Sequence, residues 1–183
     1  MFFSPIALPG AYLIDLDKKT DCRGFFARAF CEQEFAQHRL VTHFCQVNNS
    51  LSSKKGTLRG MHYQLAPKAE TKIVRCIRGA LYDIILDLRT DSSTFGKSFG
   101  VELAADDRRM IYVPKGFAHG FITLTENTEA FYFVDEFYSP EHERGIRYDD
   151  PKFGLQWPSA PSVISEKDKA YRIFDPVWHL GEG

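Results

Sequence analysis

Lys72-Ile73-Val74-Arg75-Cys76-Ile77-Arg78-Gly79-Ala80-Leu81-Tyr82-Asp83-Ile84-Ile85-Leu86-Asp87-Leu88 is the stretch from which the fold is read. Its first half is rich in Ile and Val and stops at Gly79. Its second half alternates: Tyr82, Ile84, Leu86 and Leu88 share one face, and Leu81, Asp83, Ile85 and Asp87 share the other. A period of two belongs to a strand. With Gly79 at the turn, the two segments are expected to form a hairpin. Outward from there, further strands are expected at 109–113, 117–124 and 129–138. In the last of these Ala130, Tyr132, Val134, Glu136 and Tyr138 share a face, so Tyr132, Tyr138 and Glu136 are expected to look into a cavity. Phe131, Phe133 and Phe137 are expected to seal the opposite side against a second sheet. Helix is scarce, with short candidates at 32–37 and after Ser165. Glycines and prolines punctuate many short segments. The pattern is that of an all-β antiparallel sandwich of jelly-roll type.

The composition sets limits. A chain of 183 residues, 44% apolar, fits a single domain spanning 1–183 with a sizeable core. The 16 phenylalanines favour β packing over a helical bundle. A net charge of −1 argues against a nucleic-acid binder. No apolar run approaches the roughly 20 residues that span a membrane, so no membrane partner is expected. Met1 to Gly10 lacks the charged and apolar regions of a signal peptide. Cys22, Cys31, Cys45 and Cys76 form no CxxC pair and no zinc-finger spacing, which reads as free thiols in a reducing cytoplasm, with Cys76 in the core.

Chemistry concentrates in Thr57-Leu58-Arg59-Gly60-Met61-His62-Tyr63-Gln64. An imidazole takes up a proton near neutral pH, and a neighbouring guanidinium suits an anion. A lone histidine is more often structural, and His62 has that reading beside the catalytic one. On a regular strand Arg59 and His62 point to opposite faces, so their cooperation requires a bulge or turn at Gly60. A second histidine, His119, lies in Pro114-Lys115-Gly116-Phe117-Ala118-His119-Gly120-Phe121. No metal is expected at this pair, because Gln64 stands where an HxH ligand pair would need its second histidine, and Gln is a poor ligand for transition metals. Lys72, Arg75 and Arg78 lack strict alternation, so at least one cation faces a covered side and needs an anionic partner. Asp168, in Ser165-Glu166-Lys167-Asp168, reads both as the N3 residue of a capping box and as a site carboxylate. Tyr132 reads both as a core tyrosine and as a site residue.

Taken together, Arg23-Gly24-Phe25-Phe26, Gln46-Val47-Asn48, the 58–64 and 114–121 segments, Ser92-Ser93-Thr94-Phe95-Gly96, Tyr138-Ser139-Pro140, Gln156-Trp157-Pro158 and Ser165-Glu166-Lys167-Asp168 make the chain similar to one family. From about Asp15 to Asp168 it resembles the dTDP-4-dehydrorhamnose 3,5-epimerases, a metal-free branch of the cupin superfamily. The resemblance implies a cupin-type jelly-roll sandwich or barrel with a few short helices. It also implies a homodimer in which one chain lends residues to its neighbour's site, and a nucleoside-diphosphate 4-keto-6-deoxyhexose as substrate.

Roles follow from the same resemblance. His62 is the implied general base, Asp168 its orienting carboxylate, Tyr132 the general acid and Lys72 the enolate stabiliser. Arg23 and Arg59 hold the diphosphate, and Gln46, Asn48, His119, Glu143 and Lys167 fall on further substrate positions. Such a reaction oxidises nothing, so no cofactor is expected. Three positions depart from the pattern. Arg28, still a substrate-contact candidate, replaces a glutamate, Val47 replaces an aspartate, and Phe133 replaces a frequent lysine. They leave open the nucleotide base and whether C3, C5 or both are inverted. A 3,4-ketoisomerase and a non-catalytic sugar-nucleotide-binding cupin are the rival readings.

Overall fold

The computed structural model describes residues 1–181. The chain opens with β1 (Phe2–Pro5) and β2 (Tyr12–Asp15), then a separate hairpin of β3 (Lys19–Asp21) and β4 (Gly24–Phe26), and helix α1 (Glu32–Gln37). The longer strands follow: β5 (Gln46–Ser52), β6 (Thr57–Gln64), β7 (Lys72–Arg78), β8 (Ala80–Asp87) and β9 (Ser98–Ala104). After them come β10 (Met110–Val113), β11 (Phe117–Thr123), β12 (Thr128–Val134), β13 (Glu143–Gly145) and β14 (Val163–Ile164), then α2 (Glu166–Lys169) and α3 (Pro176–Leu180). One sheet runs β1-β2-β10-β7-β12-β5, and the other β13-β6-β11-β8-β9 with β14 beside β6. This is the all-β jelly-roll sandwich read from the sequence. No helix among the described residues is long and apolar enough to cross a membrane.

The expected hairpin at Gly79 is not one. β7 pairs with β10 and β12 in the first sheet, while β8 pairs with β11 and β9 in the second. Gly79, at φ +73° with Thr125 and Thr128 packed against it, turns the chain from one sheet into the other. The reason lies in the apolar residues on either side. Val74 and Cys76 of β7 and Leu81 and Ile85 of β8 are buried in one cluster, facing each other across the sandwich. Side by side in one sheet, they would have left that inner face uncovered.

β12 also differs from expectation. It ends at Val134, so Glu136 lies beyond the strand and pairs with Lys68 at 3.2 Å instead of facing a cavity. Phe133 does face outward, but it packs on Phe30 and Phe44 beside α1 instead of on a second sheet, and Phe137 is exposed. The outer face of the second sheet is covered by the C-terminal segment, where Phe153, Trp157 and Phe174 pack over Ile84, Leu86 and Leu88.

The feature that positions the site is a bulge in β6. His119 of β11 pairs with His62, yet Phe121 pairs with Arg59, so Gly60 and Met61 together oppose Gly120 alone. The extra residue reverses the alternation and brings Arg59 and His62 to the same side. Gly60 has φ +120°, and a Cβ there would lie 2.6 Å from Gly120 Cα and 2.8 Å from the His119 carbonyl oxygen. Gly60→Ala is expected to lower stability by about 3 kcal/mol or more, read as a shift in urea midpoint. An unchanged midpoint would show that the bulge does not need glycine.

Candidate active site

The inner faces of the two sheets carry an apolar core at one end and a polar cavity at the other. The larger lobe, of about 440 Å³, is lined by Arg59, His62, Lys72, His119, Tyr132 and Asp168, among others. A second lobe of about 290 Å³ shares His62, Lys72 and Tyr132 and adds Gln46, Asn48, Glu70, Tyr138 and Glu143. The two lobes therefore meet at His62, Lys72 and Tyr132.

Local folding explains each placement. The chain returns after β14 and starts α2 at Ser165, whose Oγ accepts a hydrogen bond from the Asp168 N–H at 3.0 Å. The Asp168 carboxylate then points at β6. Its Oδ2 accepts from the Gly60 N–H at 3.2 Å, and its Oδ1 lies 2.8 Å from His62 Nε2. The backbone of Asp168 thus belongs to the Ser165 cap, and its carboxylate is turned to His62 and Gly60. Burial works to raise the Asp168 carboxyl. The hydrogen bond and charge of His62, with the Gly60 N–H and Ser165, outweigh burial and hold it below the usual carboxylate range. With Nε2 committed to Asp168, Nδ1 is the ring nitrogen left for another partner.

Lys72 is the cation that the broken alternation required to be covered. It is 8% exposed, with Nζ 3.0 Å from Glu70 Oε1. The Tyr132 phenol is pushed up, first by burial and then by the negative charge of Glu70, against the opposing charge of Arg59. Arg59 is held by Ser52 Oγ and the Leu51 carbonyl. His119 is buried with Nε2 2.8 Å from Asp83 Oδ2. Glu143 accepts from Lys167 Nζ at 2.6 Å and from the Tyr138 hydroxyl at 2.8 Å, and Gln46 Oε1 accepts from the Tyr138 N–H. Asn48, opposite Tyr132 on β5, completes the wall. Among the described residues no group of three His, Cys, Asp or Glu is placed to hold a metal ion.

Two candidates fall outside the cavity of their own chain. Arg23 lies in the β3–β4 turn, its side chain 85% exposed and paired with Asp21. Arg28 is exposed and pairs with Glu34 at 3.5 Å. Val47 and Phe133 are cross-strand neighbours on the outer face, so neither departure changes the cavity wall of its own chain.

The model of the dTDP-4-dehydrorhamnose 3,5-epimerase family matches residues 5–175. The chain belongs to this family. It is 43% identical over 171 residues to the dTDP-4-dehydrorhamnose 3,5-epimerase of Sinorhizobium fredii, covering 93% of this chain and 88% of that protein. It is also similar to the solved enzyme of Elizabethkingia anophelis, with TM-score 0.91 and 38% identity over 95% of this chain and 96% of that one. The Bacillus anthracis enzyme, solved with TDP and PPi bound, gives TM-score 0.90 and 38% identity over 94% and 99%. The protein is an isomerase of the epimerase class.

Sequence reading of this epimerase overlooked Glu70, Asp83 and Tyr171. Glu70 precedes Lys72 by two residues, a spacing that shares a side on extended chain and that signals the pair. Asp83 is an acid inside an apolar alternating strand, a signal for a buried partner. Tyr171 carries no such pattern. Its ring lies 5.9 Å from that of His62, edge-on, in space left by Gly145.

The depressed Asp168 acidity makes a stability test possible. A carboxyl held low in the folded chain adds stability when ionised and loses it as pH falls through that value. Asp168→Asn is therefore expected to lower the urea midpoint most above about pH 5, with the gap to wild type closing as pH drops below about 4. A gap constant from pH 7 to 3 would contradict the hydrogen bond assigned between Asp168 and His62.

Proposed function

We propose that this chain epimerises a nucleoside-diphosphate 4-keto-6-deoxyhexose, with dTDP-4-dehydro-6-deoxyglucose as the first candidate. The observation that carries this reading is one cavity into which an Asp168-bound imidazole, a covered ammonium and a phenol all project. Hydrogens on C3 and C5 are both α to the C4 ketone. His62 takes the proton, and the C–H electron pair moves into the enolate. Asp168 stabilises the imidazolium and fixes its tautomer. Negative charge develops on the carbonyl oxygen, where Lys72 meets it. Tyr132, kept protonated by its surroundings, returns a proton to the same carbon from the opposite face.

Arg59 and Lys167 form the cationic side of the larger lobe and receive the diphosphate, with His119 beside them. Gln46, Asn48 and Glu143 serve the second lobe. Arg23 and Arg28 act from a neighbouring copy. The outer face of the first sheet leaves Val47 50% and Leu51 52% exposed, which suits a homodimer. The chain is read as one cupin-like domain of the cytoplasm, supplying rhamnose for surface polysaccharide.

The test is hydrogen exchange in deuterium oxide, followed by NMR of the product. Deuterium is expected at both C3 and C5. His62→Ala is expected to lose exchange by about 10³-fold or more. Tyr132→Phe is expected to keep exchange at C3 and to lose inversion at C5. Undiminished exchange by His62→Ala would overturn the assignment. Inversion at one centre would restrict the enzyme to that carbon, and migration of the ketone would make it a ketoisomerase. Binding without exchange would make it a sugar-nucleotide-binding cupin.

A further inference from the structure

Glu70 is the one carboxylate of the second lobe that the reading above leaves without a task. It lies two residues before Lys72, just ahead of β7, and both side chains line the second lobe. Their charged atoms are 3.0 Å apart, and the side chains are only 14% and 10% exposed. Among the described residues Glu70 is the only anion within ion-pair distance of Lys72. Both line the lobe that also holds His62 and Tyr132.

A carboxylate here calls for explanation, since the reaction builds negative charge nearby. A lysine side chain is long and flexible, and its charge is useful only where it is held. An ammonium has three N–H donors. If one is spent on Glu70, the stem is ordered and two donors remain for the cavity. We infer that Glu70 is a positioning residue: it anchors the Lys72 ammonium in the cavity wall, so that the cation is in place before enolate charge develops. The inference rests on the enolate role proposed for Lys72. Preorganisation of this kind lowers the barrier without strengthening ground-state binding, and therefore acts on kcat more than on KM. The negative charge of Glu70 also raises the Tyr132 phenol, after burial, so one carboxylate supports both proton donor and cation.

A double-mutant cycle separates this role from a merely structural one. Glu70→Gln keeps the shape and removes the charge. In deuterium-exchange turnover it is expected to lower kcat by about ten- to a hundredfold, with KM changed by no more than about threefold. In the Lys72→Gln background the same substitution is expected to cost no more than about twofold, because its target is gone. Equal losses in both backgrounds, or an unchanged kcat in Glu70→Gln, would overturn the positioning role. Wild-type exchange by Lys72→Gln alone would instead remove the enolate role of Lys72. If Glu70→Gln does not fold, Glu70→Asp carries the cycle. Drawing the carboxylate back by one carbon is expected to lower kcat with Lys72 present and not with Lys72→Gln. Equal loss in both backgrounds would again be decisive against the inference.

Discussion

One carboxylate ties the molecule together. Asp168 reaches back across 106 positions of sequence to His62, and with its other oxygen it takes the N–H of Gly60. That second bond caps the bulge that turns Arg59 and His62 to one side. The same group therefore fixes the backbone irregularity and the ring that depends on it. Without the bulge, the two side chains would sit on opposite faces of a strand, and no single cavity would hold both. Without the returning segment at Ser165, the ring would have no partner and the cavity no third wall.

The sandwich supplies what the carboxylate cannot. Its inner faces are apolar where Val74, Cys76, Leu81 and Ile85 meet, and polar where Lys72, Tyr132 and His62 stand. A rigid core beside a polar cavity keeps charged groups apart from bulk water and in fixed relation, which is the condition for preorganised electrostatics. Four of the ionisable groups that line the cavity are paired with a group of opposite type. His62 has Asp168, His119 has Asp83, Lys72 has Glu70, and Lys167 has Glu143. This pairing also meets the desolvation cost that an unpaired buried charge would carry.

Much of this is legible in the residues themselves. The period-two pattern of 80–88 marks a strand with two buried faces, and the glycine at 60 marks the place where alternation has to break. That one of the cations at 72, 75 and 78 is covered is legible from their broken alternation, but which one is not. The helix at 32–37 is read to the residue. What is not legible is which strands lie side by side. Gly79 reads as a tight turn, and only the need of Val74 and Ile85 to cover each other sends the chain into the opposite sheet. Pairing across the sandwich is a long-range constraint that local spacing does not encode. The same holds for Arg23 and Arg28, whose residue types suit an anion but whose places on the fold turn them away from their own cavity.

The proton on the His62 ring is read directly by nitrogen NMR of the ¹⁵N-histidine-labelled protein, with His62 assigned by the loss of its signals in a His62→Gln variant. In the neutral ring the proton is expected on Nε2, strongly deshielded by Asp168, with Nδ1 bare. That signature is expected to disappear in Asp168→Asn. A ring protonated at Nδ1, or one whose signals ignore the loss of the carboxylate, would contradict the hold of Asp168 on the His62 ring.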